Sequence, residues 1–292
     1  MFIDMHVHVS RKRRAQQQPG RTHLKPEKLI ERYDQLGIEC GVMMAGASPE
    51  CSFPVQSHEA ALELAREFPG RLIPFCNVNP QAQTNTSETS LRDFLAHYKD
   101  LGCKGVGEVT ANLRFDDPLV ENLLRQCEAL ELPVTCHMAA SIGETYGLYD
   151  DPGLPLLKGA LQKFPNLVFL GHSQVFWAEI GTLQPGDDRA GYPAGPIQAE
   201  GRVIELMRRY PNLHGDLSAG SGHNAVSRDE AFGCQFLEEF QDRLYFGTDI
   251  TSPETDTPLV DYLIRLRDEE KISPDCFDKI ARTNAVRLLK LN

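Results

Sequence analysis

Phe2-Ile3-Asp4-Met5-His6-Val7-His8 stands at the start of the chain, and its reading governs how the rest is understood. The run is apolar and short, which makes it a strand. Successive strand side chains point to opposite faces, so Asp4, His6 and His8 are expected on one face and Ile3, Met5 and Val7 on the other. Two imidazoles one residue apart at a strand end can reach a single metal ion together. A His-x-His pair alone carries little weight, since many are surface accidents. Its meaning depends on further ligands arriving where the fold would bring them.

From that strand onward, strand and helix signals alternate to the end of the chain. Strands are expected at 2–8, 40–45, 72–78, 104–109, 133–137, 167–172, 213–217 and 244–249. Helices are expected at 26–36, 58–68, 88–101, 119–130, 154–164, 199–210, 230–240, 259–269 and 274–289. Pro26 opens the first helix and Gly37 stops it. Three joints look alike: Phe68-Pro69-Gly70, Phe164-Pro165-Asn166 and Tyr210-Pro211-Asn212. A residue before proline disfavours α geometry, so each joint ends a helix and turns the chain toward the next strand. Eight strands separated by helices predict an α/β fold, a single-domain (β/α)8 TIM barrel over residues 1–292. The rival is an open doubly wound sheet, which would carry a Gly-rich phosphate turn after its first strand. Here that position holds the basic run Arg11-Lys12-Arg13-Arg14 and a Gln/Pro/Gly-rich loop to Arg21.

Bulk composition narrows the function. The chain has 292 residues, 41% of them hydrophobic, ample for one large core. A formal net charge of -11 argues against general affinity for nucleic acid or anionic membranes. No segment approaches the roughly 18–20 unbroken apolar residues that span a bilayer. The N-terminal strand runs into charged residues and lacks the apolar core of a secretory signal. Eight cysteines without any Cys-x-x-Cys, several of them in expected strands, fit a reduced, cytoplasmic protein.

In such a barrel the active site lies at the C-terminal ends of the strands. Strand one ends in His6-Val7-His8, strand four in Gly107-Glu108-Val109, strand five in Cys136-His137, strand six in Gly171-His172 and strand eight in Thr248-Asp249. Four of the nine histidines and two carboxylates therefore fall on one rim. This order resembles the amidohydrolase superfamily and, more narrowly, amidohydrolase family 2, which includes aminocarboxymuconate-semialdehyde and resorcylate decarboxylases. The stretch 280–289, Ile-Ala-Arg-Thr-Asn-Ala-Val-Arg-Leu-Leu, is similar to that family's terminal helix. The resemblance covers the whole chain and speaks for the superfamily, not for a substrate. It implies His6, His8, His137 and Asp249 as metal ligands, with His172 a ligand or a metal-adjacent catalytic histidine and Asp249 catalytic as well. Glu108 departs from the decarboxylase pattern. It is expected either to join the metal site, where TatD-like nucleases and some deaminases place a carboxylate near two metals, or to brace a ligand histidine. Lys104, at the wrong end of its strand, does not fit the carboxylated lysine of other members.

Imidazole and carboxylate donors suit Zn(II), one ion or two, and Mn(II), Fe(II) and Ni(II) also fit, because affinity alone does not select among them. Candidate substrate contacts are Ser221 and His223 in the Gly-rich stretch 218–224, read as a loop after strand seven, together with Arg228 and Trp177. Each has an ordinary alternative: a flexible turn for 218–224, a solvated Arg228, a Trp177 that only packs its loop. Asp216, at the end of strand seven, is a candidate for orienting a ligand. The segment 184–196 is read as a lid or a homodimer contact. His23, His58, His97 and His214 are expected away from the rim. The leading reading is a metal-dependent hydrolase acting on a small-molecule lactone, ester or amide. The alternative is a metal-dependent non-oxidative decarboxylase of an unsaturated or aromatic acid. A metabolite-binding barrel and a nuclease rank below both.

Overall fold

The computed structural model describes residues 1–11, 24–51 and 56–291. The basic run beyond Arg11, the loop to Arg21 and His23 lie outside them. Strand β1 (Phe2–Val7) is buried along its whole length. That is why an apolar run encodes it: parallel strands covered on both faces need little polar alternation. The remaining strands are β2 (Ile38–Met43), β3 (Leu72–Pro74), β4 (Val106–Val109), β5 (Val134–Ala139), β6 (Leu148–Tyr149), β7 (Phe169–His172), β8 (Leu213–Asp216) and β9 (Leu244–Tyr245). Parallel pairing joins them as β1-β2-β3 and β4-β5-β7-β8-β9, while the two-residue β6 adds onto β5.

Short hydrogen-bonded seams close these two sheets into one cylinder. Between β3 and β4, Cys76 N donates to Gly105 O (3.0 Å) and Gly107 N donates to Cys76 O (2.9 Å). Between β9 and β1, Met5 N donates to Phe246 O (2.9 Å), His8 N to Ile250 O (3.0 Å) and Asp249 N to His6 O (2.8 Å). The eight expected strands are therefore all present in barrel order. Helix α1 (Pro26–Leu36) starts at its proline and ends at Gly37, whose φ of 69° supplies the left-handed stop. Helices α2 (His58–Glu67), α3 (Arg92–Asp100), α4 (Pro118–Ala129), α5 (Pro155–Lys163), α6 (Gln174–Ala178), α7 (Arg202–Arg209), α8 (Ala219–Ser227), α9 (Glu230–Glu239), α10 (Pro258–Asp268), α11 (Pro274–Asp278) and α12 (Asn284–Leu289) complete the chain. Ile3, Met5, Val42, Phe75, Leu170 and Tyr245 pack with Ala285 and Leu289, so α12 plugs the base of the barrel.

Three expectations give way. Residues 218–224 are not a loop, because α8 begins at Ala219. Their glycine serves close approach instead of flexibility: a Cβ on Gly222 would collide with the Leu217 carbonyl. Asp4 does not share its neighbours' face. The register of β1 against β2 slips between Asp4 and Val7, three steps on one strand matching two on the other. Such a bulge re-aims side chains, and bulges are over-represented beside active sites. Asp4 accordingly meets Tyr33 of α1, while His6 meets Asp216 of β8. Finally, the terminal helix is interrupted by a π turn at Lys279–Thr283, where the Ile280 carbonyl accepts from Phe246 N (3.0 Å).

Candidate metal centre

The strand ends bring His6, His8, Glu108, His137, His172 and Asp249 together, and Asp216 joins them. Nε2 of His6 lies 3.1 Å from Nε2 of His8. Glu108 Oε2 lies 3.7 Å and 3.5 Å from those two nitrogens, and Asp249 Oδ1 lies 3.8 Å and 3.4 Å from them. Two donors held about 2.1 Å from one tetrahedral ion stand about 3.4 Å apart. The observed separations cluster around that value, so His6, His8 and Glu108 fit one divalent cation, and Asp249 Oδ1 stands within the same reach of the two imidazoles. A second grouping uses the other oxygen of the same carboxylate: Glu108 Oε1 is 2.6 Å from His137 Nδ1 and 3.5 Å from His172 Nε2. The first of these is a hydrogen-bond spacing, shorter than two ligands of one ion would keep.

The surroundings explain how the donors are held. His6 Nδ1 lies 2.7 Å from Asp216 Oδ2, which leaves Nε2 to face the other donors when Nδ1 carries the proton. Asp216 Oδ1 accepts from Ser218 N, and Ser218 Oγ lies 3.0 Å from His172 Nδ1. Asn77 Nδ2 donates to the Glu108 carbonyl (2.6 Å) and the Ala45 carbonyl (2.9 Å). Beneath the centre, Asp4 is fully buried and accepts from His6 N (3.0 Å), Thr248 N (2.8 Å), Thr248 Oγ1 (2.6 Å) and Tyr33 Oη (2.7 Å). One carboxylate thus ties β1 to the residue preceding Asp249. Positive φ at three non-glycine residues marks the same rim: Ser173 at 99°, Ala219 at 62° and Asp249 at 54°. Backbone strain of this kind concentrates at functional sites.

The electrostatics favour a cation. Burial opposes charge on His6, yet the carboxylates of Asp216 and Glu108 outweigh it and raise its pKa well above the ordinary histidine value. Burial likewise opposes charge on Glu108, but His137, His6 and His8 hold its carboxyl well below the usual range. His172 goes the other way: burial, then the neighbouring His6, lowers it to about 4 and keeps it neutral. The negative potential that makes His6 hold a proton is one that a divalent ion would neutralise.

The four candidate substrate contacts are placed differently. Trp177 is buried in α6; its indole Nε1 donates to the Asp216 carbonyl (2.9 Å), so it packs and braces strand β8. Ser221 is buried, and its Oγ has no hydrogen-bond partner among the described residues. His223 stands edge-on to Tyr262 (5.3 Å between centroids) with Nδ1 3.4 Å from Ser227 Oγ. Arg228 is half-buried at the end of α8, near Gly181. Among the described residues none of the four hydrogen-bonds to a side chain of the imidazole cluster. His58 and His214 are occupied elsewhere, with the Asn77 carbonyl and the Tyr245 hydroxyl respectively. In the segment 184–196, Arg189 pairs with Glu179 and donates to the Asp150 and Asp151 carbonyls. Ser218 and the Asp4 clamp had no signal in the sequence; Asp216 was visible through its place at a strand end.

No described helix is long and apolar enough to cross a membrane. No curated protein matches the chain. A zinc-containing amidohydrolase from Burkholderia multivorans has the same fold, with a TM-score of 0.63, 14% identity and full coverage of both chains. A probable 2-pyrone-4,6-dicarboxylic acid hydrolase from Acinetobacter baumannii superposes with a TM-score of 0.59 at 16% identity over 99% of each chain. A 2,6-dihydroxybenzoate decarboxylase does so with 0.61 at 16% identity, covering 99% of this chain and 98% of its own. The amidohydrolase family model matches residues 3–291, and the chain belongs to that family.

Proposed function

We propose that the protein is a metal-dependent hydrolase of a small carbonyl compound, a lactone, ester or amide, with Zn(II) held by His6, His8, Glu108 and Asp249. The observation that carries this reading is the convergence of His6 Nε2, His8 Nε2 and a Glu108 oxygen, 3.1–3.7 Å apart, with Asp249 Oδ1 3.4–3.8 Å from the two nitrogens, on one end of the barrel. A divalent ion bound there supplies Lewis-acid polarisation of the carbonyl and a water of lowered pKa. Asp249, the most exposed carboxylate of the set with 25% of its side chain open, takes the proton of the attacking water and returns it to the leaving group. His172, kept neutral and oriented through Ser218, offers a hydrogen bond on the opposite side of Glu108. His137 holds Glu108 Oε1, which favours one ion per chain over a Glu108-bridged pair.

The test is metal analysis on protein purified without chelators, run beside two activity panels. One zinc per chain with turnover of lactones, esters or amides is the expected result. CO2 release from carboxylated aromatics, with no hydrolysis in the first panel, would replace this reading with decarboxylation. Absence of stoichiometric metal would remove both.

A further inference from the structure

The N-terminal end of the barrel, opposite the metal donors, holds a cavity of about 830 Å³. Pro133, Val168, His214 and Tyr245 of its lining lie at or beside the starts of β5, β7, β8 and β9, four strands adjacent in the sheet. Helix α4 contributes Arg125, and the end of α12 contributes Arg287 and Lys290. This end of a barrel is ordinarily given over to stability, so a charged hollow there calls for an account.

The cations of the hollow are held differently from others on a chain of net charge -11. Elsewhere Arg208 sits between Glu200 and Glu239, and Arg282 pairs with Glu39. Arg125 has no ion pair or hydrogen bond among the described residues. Arg287 Nη2 donates to neutral acceptors, the Asp242 carbonyl (2.7 Å) and Asn284 Oδ1 (3.0 Å). The acids of the lining are committed: Glu131 pairs with Lys290 (3.3 Å), and Glu128 accepts from Asn166 N (2.9 Å). His214, with Nδ1 2.8 Å from Tyr245 Oη, registers the local field. Burial, then Arg243 and Arg287, lower it to about 3. Cations at the end of α12 also suit the helix dipole. Arg125 has no such duty, because it lies ahead of the last turn of α4.

We propose that this hollow is a second ligand site, which binds a small organic anion by its carboxylate or phosphate head on Arg125 and Arg287 and its apolar body against Leu132, Leu167 and Leu288. A guanidinium fork takes either head group through paired hydrogen bonds. The site is independent of the metal centre and of the hydrolase reading. The test titrates the full chain, zinc-loaded and again after chelator treatment, with heptanedioate, hexyl phosphate and uncharged heptanediamide, followed by NMR shifts. At least one anion is expected to bind in both preparations, about 10-fold or more tighter than the diamide, and the tighter anion names the head group. The shifts should fall on the methyls of Leu132, Leu167 and Leu288. Arg125→Gln should weaken that binding about 3- to 10-fold, the range for a charge-assisted bond at a partly open site. Melting temperature and zinc content should stay unchanged, since the side chain has no partner to lose. Arg125→Lys keeps the charge without the fork and should fall between the two. No binding of either anion, equal binding of the diamide, shifts confined to the His6 end of the barrel, or an affinity indifferent to Arg125→Gln would overturn the proposal. So would dissociation of a ligand-free oligomer by Arg125→Gln, which would make the hollow a contact between copies of the chain.

Discussion

The barrel closes at two seams, and they are built from opposite materials. At the β3–β4 seam the backbone bonds are backed by packing: the Phe75 ring occupies the space a Gly105 Cβ would need. At the β9–β1 seam the backing is a fully buried carboxylate, Asp4, taking four hydrogen bonds from β1, the segment after β9 and a helix. Candidate ligands flank both sides of the second seam, His6 on β1 and His8 just after it, and Asp249 after β9. The first has Glu108 on one side only. Apolar packing tolerates small slides, whereas a carboxylate with four directional donors fixes relative position, at the cost of burying a polar group. A seam that carries candidate ligands on both sides is the one where fixed register matters most.

The largest effect expected is at the candidate ligands of the polar seam. Asp249→Asn should lower kcat on a carbonyl substrate by about 10²–10⁴-fold, the usual contribution of a positioned proton acceptor. Retention of most activity would take Asp249 out of the chemistry and leave the seam without its purpose. Next comes the clamp. Asp4→Asn replaces one acceptor oxygen with an amide that faces donors already committed, and should weaken zinc binding about 10–100-fold, as loss of outer support to metal ligands does. The matching change at the apolar seam, Gly105→Ala, should lower stability by about 1–3 kcal/mol through overpacking while zinc affinity stays put. Competition titration against a chelator, with urea unfolding alongside, separates the two. Equal loss of zinc affinity in both variants would erase the contrast.

Much of this is legible in the sequence. The Pro-containing joints after Phe68, Phe164 and Tyr210 mark helix ends through local sterics, and the strand-end rule then places His6, His8, Glu108, His137, His172 and Asp249 on one rim. What was hidden depends on contacts distant in sequence. The bulge that turns Asp4 away from His6 leaves no trace in seven residues that fit plain alternation equally well. Its partners Tyr33 and Thr248 lie 29 and 244 residues off. Helix α8 was obscured for a related reason, because Gly220 and Gly222 argue for a turn unless one knows that neighbouring groups crowd them.

A pH series sharpens the contrast further. In the metal-free protein His6 has its pKa raised by Asp216 and Glu108. That interaction stabilises the fold fully below the unfolded histidine value near 6.5 and is lost as pH rises through the raised folded value. A metal ion at His6 must displace the proton. Stabilisation by zinc should therefore grow by up to about 1.4 kcal/mol per pH unit per proton released, levelling off above His6's folded pKa. The check is the difference in melting temperature between zinc-loaded and chelator-treated protein from pH 6 to 9. A difference independent of pH would mean that His6 is not where the ion binds.

The smallest effect concerns a support that belongs to neither seam. Trp177 holds strand β8 from outside, its indole bonded to the Asp216 carbonyl and its ring edge-on to Phe176 and Phe236. Trp177→Phe keeps most of the apolar contact and deletes the single hydrogen bond, which predicts a loss of about 0.5–1.5 kcal/mol in stability. The bond reaches Asp216 through its backbone, whereas His6 is held by its carboxylate, itself fixed independently by Ser218 N. Zinc affinity should then change by less than in Asp4→Asn. If Trp177→Phe instead matched the clamp variant, the control of His6 would run through the strand from the helix layer, and the carboxylate seam would be one support among several.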